Sequence, residues 1–440
     1  MLCLYLEACE GYLKSQPRRS HSLLKWLTPG IGVKRWLGLL FVGVTLLGLA
    51  FALVVVDLYR AYPSPLWSAL TLGGAPMWVR AGLAGLLGIT LVILAILQFN
   101  RAVLEPLELG RGELIDAMVE YRRGQRGPRI VAIGGGTGLP VLLRGLKAYT
   151  YNLTAIVTVA DDGGSSGRLR RELGVLPPGD FRNNIAALAR DEGLMTQLFQ
   201  YRFGEGGLEG HSFGNLLITA LSGVTGSFEQ ALIESSRVLA IRGQVLPSTL
   251  ADVTLMADLR DIQADSTRRI AGESAIPEVA GTVERVFLQP DDAPAYPEAV
   301  RAILSADLIV LGPGSLFTSI LPNLLVPGIA EAVRASKALK VYVCNVATQR
   351  GETDGFSVAD HVHAIERHVG KGIFSVVLAN NRFIPQPENA NFSYVRLDSI
   401  DDPAIRVCTA PLADDSRPWR HHPERLAQAV MDLLAETQGT

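Results

Sequence analysis

The sequence predicts an α/β protein: a Rossmann-like, doubly wound and mostly parallel sheet with a small antiparallel insertion, preceded by two transmembrane helices. Three observations predict it. From Arg129 onward, short wholly apolar runs alternate with helical patterns, as strands buried on both faces do when crossover helices cover them. Within that region, 244–290 instead reads as strands of a small antiparallel sheet, in VTLMADLRD and GTVERVFLQP. Upstream lie two long apolar runs, and they are the source of a mean hydropathy of +0.24.

In chain order, residues 1–35 form a basic N-terminus, 36–98 a membrane hairpin, 99–128 a connector and 129–440 the main domain. The run 36–56, WLGLLFVGVTLLGLAFALVVV, has 21 positions without a charge. That matches the ~20 residues that cross the hydrocarbon layer. The second run, 81–97, is shorter, and Met77, Trp78 and Val79 extend it while Arg80 can snorkel. A signal peptide fits less well, because its apolar core is ~7–15 residues and no small-residue cleavage site follows. Lys14, Arg18, Arg19, Lys25, Lys34 and Arg35 precede the first run, and Arg101, Arg111, Arg122, Arg123 and Arg126 follow the second. The loop around 58–76 holds only Arg60, with Arg80 at its edge. The positive-inside rule then predicts a multi-pass protein of the cell membrane, with both termini and the main domain cytoplasmic. The connector carries an amphipathic pattern over 112–123.

The main domain opens with the strand RIVAI (129–133), the helix LPVLLRGLKAY (139–149) and the strand AIVTVA (155–160). Further strands are predicted at 306–311, 340–346 and 374–379, near helical patterns at 325–337 and 359–369. A net charge of −2 and a pI near 6.4 give no footprint for nucleic acid. The four cysteines form no CxxC pair, which fits a reducing compartment.

In such folds, ligands bind beyond the carboxyl ends of the strands. After the first strand comes GGGTGLP, with Gly135, Gly136, Thr137 and Gly138. It fails the dinucleotide fingerprint because Leu139 stands where Gly or Ala is needed, and it is no P-loop because no GK[ST] follows. Backbone N–H groups and a helix start remain as an anion-binding device, against the alternative of a tight turn. After the second strand comes VADDGGSSGRLR, where Asp161 and Asp162 suit a ribose hydroxyl or a metal. Ser165, Ser166 and the glycines add donors, and Arg168 adds charge for phosphate. The alternative is a helix cap with solvated arginines. Asp180, Arg182 and Asn183 begin one further helix, His211, Ser212 and Asn215 another, and Gly312, Gly314 and Ser315 form another anion-ready turn. His361 and His363 have no second cluster, so a zinc site is not expected.

These motifs together resemble one family. IGGGTGLPVLLRGLK, TAIVTVADDGGSSGRLR, PPGDFRN, GHSFGN, ADLIVLGPGSLFTSILPNLLVPGI and CNVATQRGETDGFSVADHV look like signatures of the CofD-like proteins, and within them of the YvcK type, the gluconeogenesis factors. The resemblance runs from about 129 to 435. It implies a Rossmann-like nucleotide site lined by Thr137, Gly138, Asp161, Asp162, Asn183, Asn215 and the 312–315 turn, with Asn345 and Phe356 from the last motif. It further implies binding of UDP-N-acetylglucosamine by a regulator of carbon flux, cell-wall precursor supply and cell shape. The alternative is a 2-phospho-L-lactate transferase-like enzyme with a nucleotide-linked donor. Only under that alternative would Asp161 and Asp162 hold a cofactor, Mg²⁺. Two departures stand out: the hairpin that many relatives lack, and Phe356 where this branch often has Tyr. The expected partners are a UDP-sugar and, through 36–98, the membrane, with no nucleic acid; a homo-oligomer is left open. No catalytic residue is assigned, because no base–nucleophile pair is legible.

Overall fold

The computed structural model describes residues 33–61, 76–104, 127–190, 193–261, 266–279, 281–385 and 392–438. The chain divides into two compact units, Met1–Arg123 and Gly124–Thr440. In the first, α1 spans Val33–Ala61 and α2 spans Met77–Leu104. Phe41–Leu58 of α1 has a mean hydropathy of 2.5 and none of it is buried, so length and composition let it cross a membrane. It is the one such unbroken helix among the described residues. In α2 the described apolar stretch is Gly85–Leu94, about half a span, so the expected second crossing is not established. Much of the 58–76 loop and the pattern at 112–123 fall outside the described residues.

The second unit is built on seven parallel strands. The first five elements are β1 (Ile130–Gly134), α3 (Leu139–Leu146), β2 (Leu153–Val157), α4 (Gly164–Leu173) and α5 (Gly179–Leu188). Next come α6 (Leu194–Gln200), α7 (Phe213–Thr225), α8 (Phe228–Val238) and β3 (Gln244–Pro247). The antiparallel insertion is β4 (Thr254–Asp261), β5 (Ser266–Ala271) and β6 (Thr282–Gln289). Then follow α9 (Pro297–Ser305), β7 (Leu308–Leu311), α10 (Pro327–Ala335), β8 (Leu339–Val343) and α11 (Val358–Val369). The chain closes with β9 (Val376–Asn380), β10 (Arg406–Ala410) and α12 (Pro423–Gln438).

The main sheet runs β10-β9-β8-β7-β1-β2-β3 and the small sheet β5-β4-β6. β1, β2, β7 and β9 are buried at every position, as wholly apolar runs require when both faces are covered. β4 and β6 alternate buried and less buried residues, the mark of one covered face. Exposed Arg268 and Arg269 sit on edge strand β5, where charge discourages pairing with another chain.

One sequence expectation needs correction, and one strand was not anticipated. Gln244–Pro247 belongs to the main sheet, parallel to β2, so the insertion starts only at Thr254. β10 gave no apolar run because it is a half-exposed edge strand. The decisive feature is the order of connection. From β1 the chain proceeds through β2 to β3 on one side, then crosses back to build β7 to β10 on the other. The loops after β1 and β7 therefore part at the carboxyl end of the sheet, which opens a crevice there.

Candidate functional site

A cleft of about 440 Å³ occupies this crevice. Thr137 and Gly138 line it from the loop after β1, Gly314 and Ser315 from the loop after β7, and Asn345 from the loop after β8. A neighbouring cleft of about 460 Å³ shares Thr137, Val141 and Arg420 with it and adds Gly136 and Asn183.

The glycines are there because the loops touch. A Cβ on Gly136 would lie 2.1 Å from Asp180 Oδ1, one on Gly138 2.4 Å from the Pro313 carbonyl, and one on Gly135 2.5 Å from Ser319 Oγ. Gly312 has φ +80°, open to glycine and strained for other residues. This packing also uses donors that were expected for an anion: Asp180 accepts the Gly136 N–H. The Gly314 N–H goes to Asn345 Oδ1 at 3.3 Å, while Asn345 Nδ2 returns a bond to the Gly314 carbonyl at 2.9 Å. Asn345 thus fixes the turn of Gly314. Ser315 donates to buried Glu352 and accepts from Thr318 Oγ1 at 2.6 Å.

Behind the glycine loop, carboxyls crowd together. Burial first, and the nearby Asp161 charge second, push Asp180 up to about 7. Burial likewise raises Asp161 and Glu352. Asp161 accepts the Gly163 N–H at 2.9 Å, whereas Asp162 accepts the N–H of Ser274 in the insertion at 2.9 Å. The helix cap is Gly163, with no side-chain cap bond, so Asp162 is an anchor for the insertion. The two aspartates serve different partners, and among the described residues no three His, Cys, Asp or Glu side chains are arranged to hold a metal ion.

The remaining sequence-predicted residues form a buried polar cluster. Arg182 donates to Ser212, to Asn215 Oδ1 at 3.1 Å and to Asn183 Oδ1 at 2.8 Å, and burial lowers its pKa. Ser165 Oγ lies 3.0 Å from His211 Nδ1 and accepts from Asn215 Nδ2 at 3.0 Å. That is hydrogen-bond reach for a nucleophile and a base. Neither residue is in the wall of the two clefts, so the pair ties α4 to the start of α7. Ser166 accepts the Gly179 N–H at 3.0 Å. Arg168 donates to the Glu209 carbonyl at 2.7 Å rather than standing in the clefts.

Phe356 is also elsewhere. It lines a separate 590 Å³ cavity with Phe317, His368 and Arg260, which shares no lining residue with the strand-end cleft. The structure does not bring Phe356 to the strand-end cleft.

Several cleft residues were missed in the sequence. Arg420 and Trp419, from the segment after β10, line the cleft with Phe392, whose ring centroid is 5.5 Å from that of Trp419. Arg420 forms no ion pair with a carboxylate among the described residues. Its motif, RPWRHH, combines aromatic and basic residues, but nothing local says that it folds back over the strand ends. Glu273 and Glu352 complete the wall.

The family described as 2-phospho-L-lactate transferase CofD matches residues 130–413. A Bacillus subtilis protein named gluconeogenesis factor is 48% identical over 71% of this chain and 100% of its own length. A Nostoc sp. relative with a gluconeogenesis-factor name is 46% identical over 95% of this chain and 94% of its own. That share has to include most of the N-terminal unit. A crystal structure of a UPF0052-family protein from Bacillus halodurans superposes with a TM-score of 0.64 at 43% identity, covering 70% of this chain and 100% of that one.

Proposed function

The chain belongs to the CofD family, on the branch of the gluconeogenesis factors, and from that premise we propose that its strand-end cleft binds a UDP-sugar, UDP-N-acetylglucosamine, as the input of a regulatory protein. The observation that carries this reading is the composition of the cleft. Arg420 supplies positive charge for a diphosphate, and Phe392 and Trp419 supply aromatic faces for a base. Thr137, Ser315 and Asn345 supply short polar groups suited to sugar and ribose hydroxyls. The regulator is favoured over a transferase because the relatives matched along nearly their whole length carry the gluconeogenesis-factor name.

Calorimetric titration of the full chain in detergent with UDP-N-acetylglucosamine, UDP and GDP tests this. Arg420→Ala removes a charge-assisted bond worth about 1.5–3 kcal/mol, so the UDP-sugar should weaken by about 10- to 150-fold and uridine far less. Arg168→Ala, whose guanidinium is held by the Glu209 carbonyl, should leave affinity within about 3-fold. The reverse ranking would move the phosphate site to α4.

We further propose that the N-terminal unit anchors the protein as a two-helix hairpin, with both termini and the main domain cytoplasmic. The basic flanks around two apolar runs support this. In a cysteine-free background, Ser68→Cys should react with a membrane-impermeant maleimide on intact cells, and the exposed Ser266→Cys of the main domain only after lysis. Labelling at 266 in intact cells would overturn the topology.

A further inference from the structure

The tip of the antiparallel insertion enters the strand-end cleft through Glu273. The turn that carries it is built tightly. The Gly272 N–H donates to the Leu255 carbonyl at 2.8 Å, Gly272 has φ +100°, and a Cβ there would lie 2.2 Å from Asp162 Oδ2. On the other side of Glu273, the Ser274 N–H donates to Asp162 Oδ1 at 2.9 Å. Asp162 therefore brackets Glu273 and fixes the backbone from which its side chain leaves. Yet Oε2 of Glu273 is fully buried and has no hydrogen-bond partner among the described residues. A buried oxygen left without a partner destabilises a protein, so on a turn held this firmly in a cleft wall it points to a missing ligand atom.

The groups that face it decide its chemical form. Asp180, Asp161, Asp162 and Glu352 surround it, while the basic side chains of the same wall are Arg420 and His421. His421 is held neutral by burial, which lowers its pKa to about 4, and its Nε2 donates to the Cys344 carbonyl at 3.2 Å. Burial, with the four carboxyls adding to it, raises the Glu273 pKa well above the usual carboxylate range. An ionised carboxylate here would repel a diphosphate, whereas a neutral acid offers an O–H.

We propose that Glu273 is a specificity-determining residue of the cleft, which as a neutral acid donates its O–H to a phosphoryl oxygen of the bound nucleotide. The role rests on the nucleotide-sugar reading above. It makes Asp162 a positioning residue, acting through the Gly272–Ser274 turn.

The test uses the full chain in detergent, with Glu273→Gln and Glu273→Ala, and two measurements. In titrations with UDP-N-acetylglucosamine at pH 7, Gln keeps a donor and should stay within about 3-fold of wild type, while Ala should weaken binding about 10-fold. Gln as weak as Ala would overturn the proposal in favour of an ionised acceptor for a sugar hydroxyl, and Ala within 3-fold would overturn it outright. In melts without ligand, a carboxyl kept neutral by the fold loses its stabilising contribution as pH rises above the unfolded value near 4.5. The wild-type melting temperature should therefore fall relative to Glu273→Gln between pH 5 and 8. A constant difference would overturn the neutral acid. If wild type binds no UDP-sugar, that reading fails by itself, and inorganic pyrophosphate becomes the probe. Pyrophosphate should then stabilise wild type and Gln but not Ala, and no effect on wild type would overturn the proposal as well.

Discussion

Gly138→Ala is expected to abolish measurable binding in the strand-end cleft while costing the fold about 1–3 kcal/mol, as overpacked sites do. The new Cβ would stand 2.4 Å from the Pro313 carbonyl oxygen and 2.8 Å from the Gly314 nitrogen. Both are backbone atoms of the turn that Asn345 clamps from two sides, so no flexible side chain can move aside. The loops after β1 and β7 must separate, and these two loops form the crevice. Thermal melts and titrations on one preparation check this. Wild-type affinity in the variant would show that ligand does not depend on the contact between the two loops. Unchanged melting would show that the turn yields at no cost.

Asp180→Asn is expected to stabilise the protein above neutral pH, by about 2–4 kcal/mol for a carboxyl moved from 3.8 to about 7. The sign follows from linkage. The folded state holds the proton more tightly than the unfolded chain, so the contribution is fully present below pH 4 and is lost as pH rises through about 7. Wild type and variant should therefore melt together near pH 4, part between pH 4 and 7, and run parallel above pH 8. The cause is burial beside Asp161, with only the Gly136 N–H and the distant charge of Arg182 to compensate. A gap that is constant over this range would mean that Asp180 is ionised throughout.

Much of the molecule was legible in its residues. The runs IVAIG, LTAIV and VVLAN are apolar at nearly every position, and only a strand covered on both faces uses such a run. The glycine-rich stretches fall at strand ends that meet across the crevice, since a chain must turn where strand meets helix and Cβ atoms are excluded where loops touch. Thr137, Gly138, Gly314, Ser315 and Asn345, expected at the site, do stand in one cleft wall.

Tertiary structure alone decided how the polar residues divide their work. Sequence shows which side chains can donate or carry charge, but their partners are set by contacts between segments far apart in the chain. Arg168 finds the Glu209 carbonyl 41 positions away, Asp162 the Ser274 N–H 112 away, and Ser315 the Glu352 carboxyl 37 away. Arg420, some 280 residues from the glycine loop, reaches the same cleft because β10 closes the edge of the sheet and returns the chain over the strand ends. Local residue chemistry determined the sheet and its loops. The long-range register of that sheet determined which carboxyl is buried, which arginine lines the cleft, and which oxygen of Glu273 is left without a hydrogen-bond partner among the described residues.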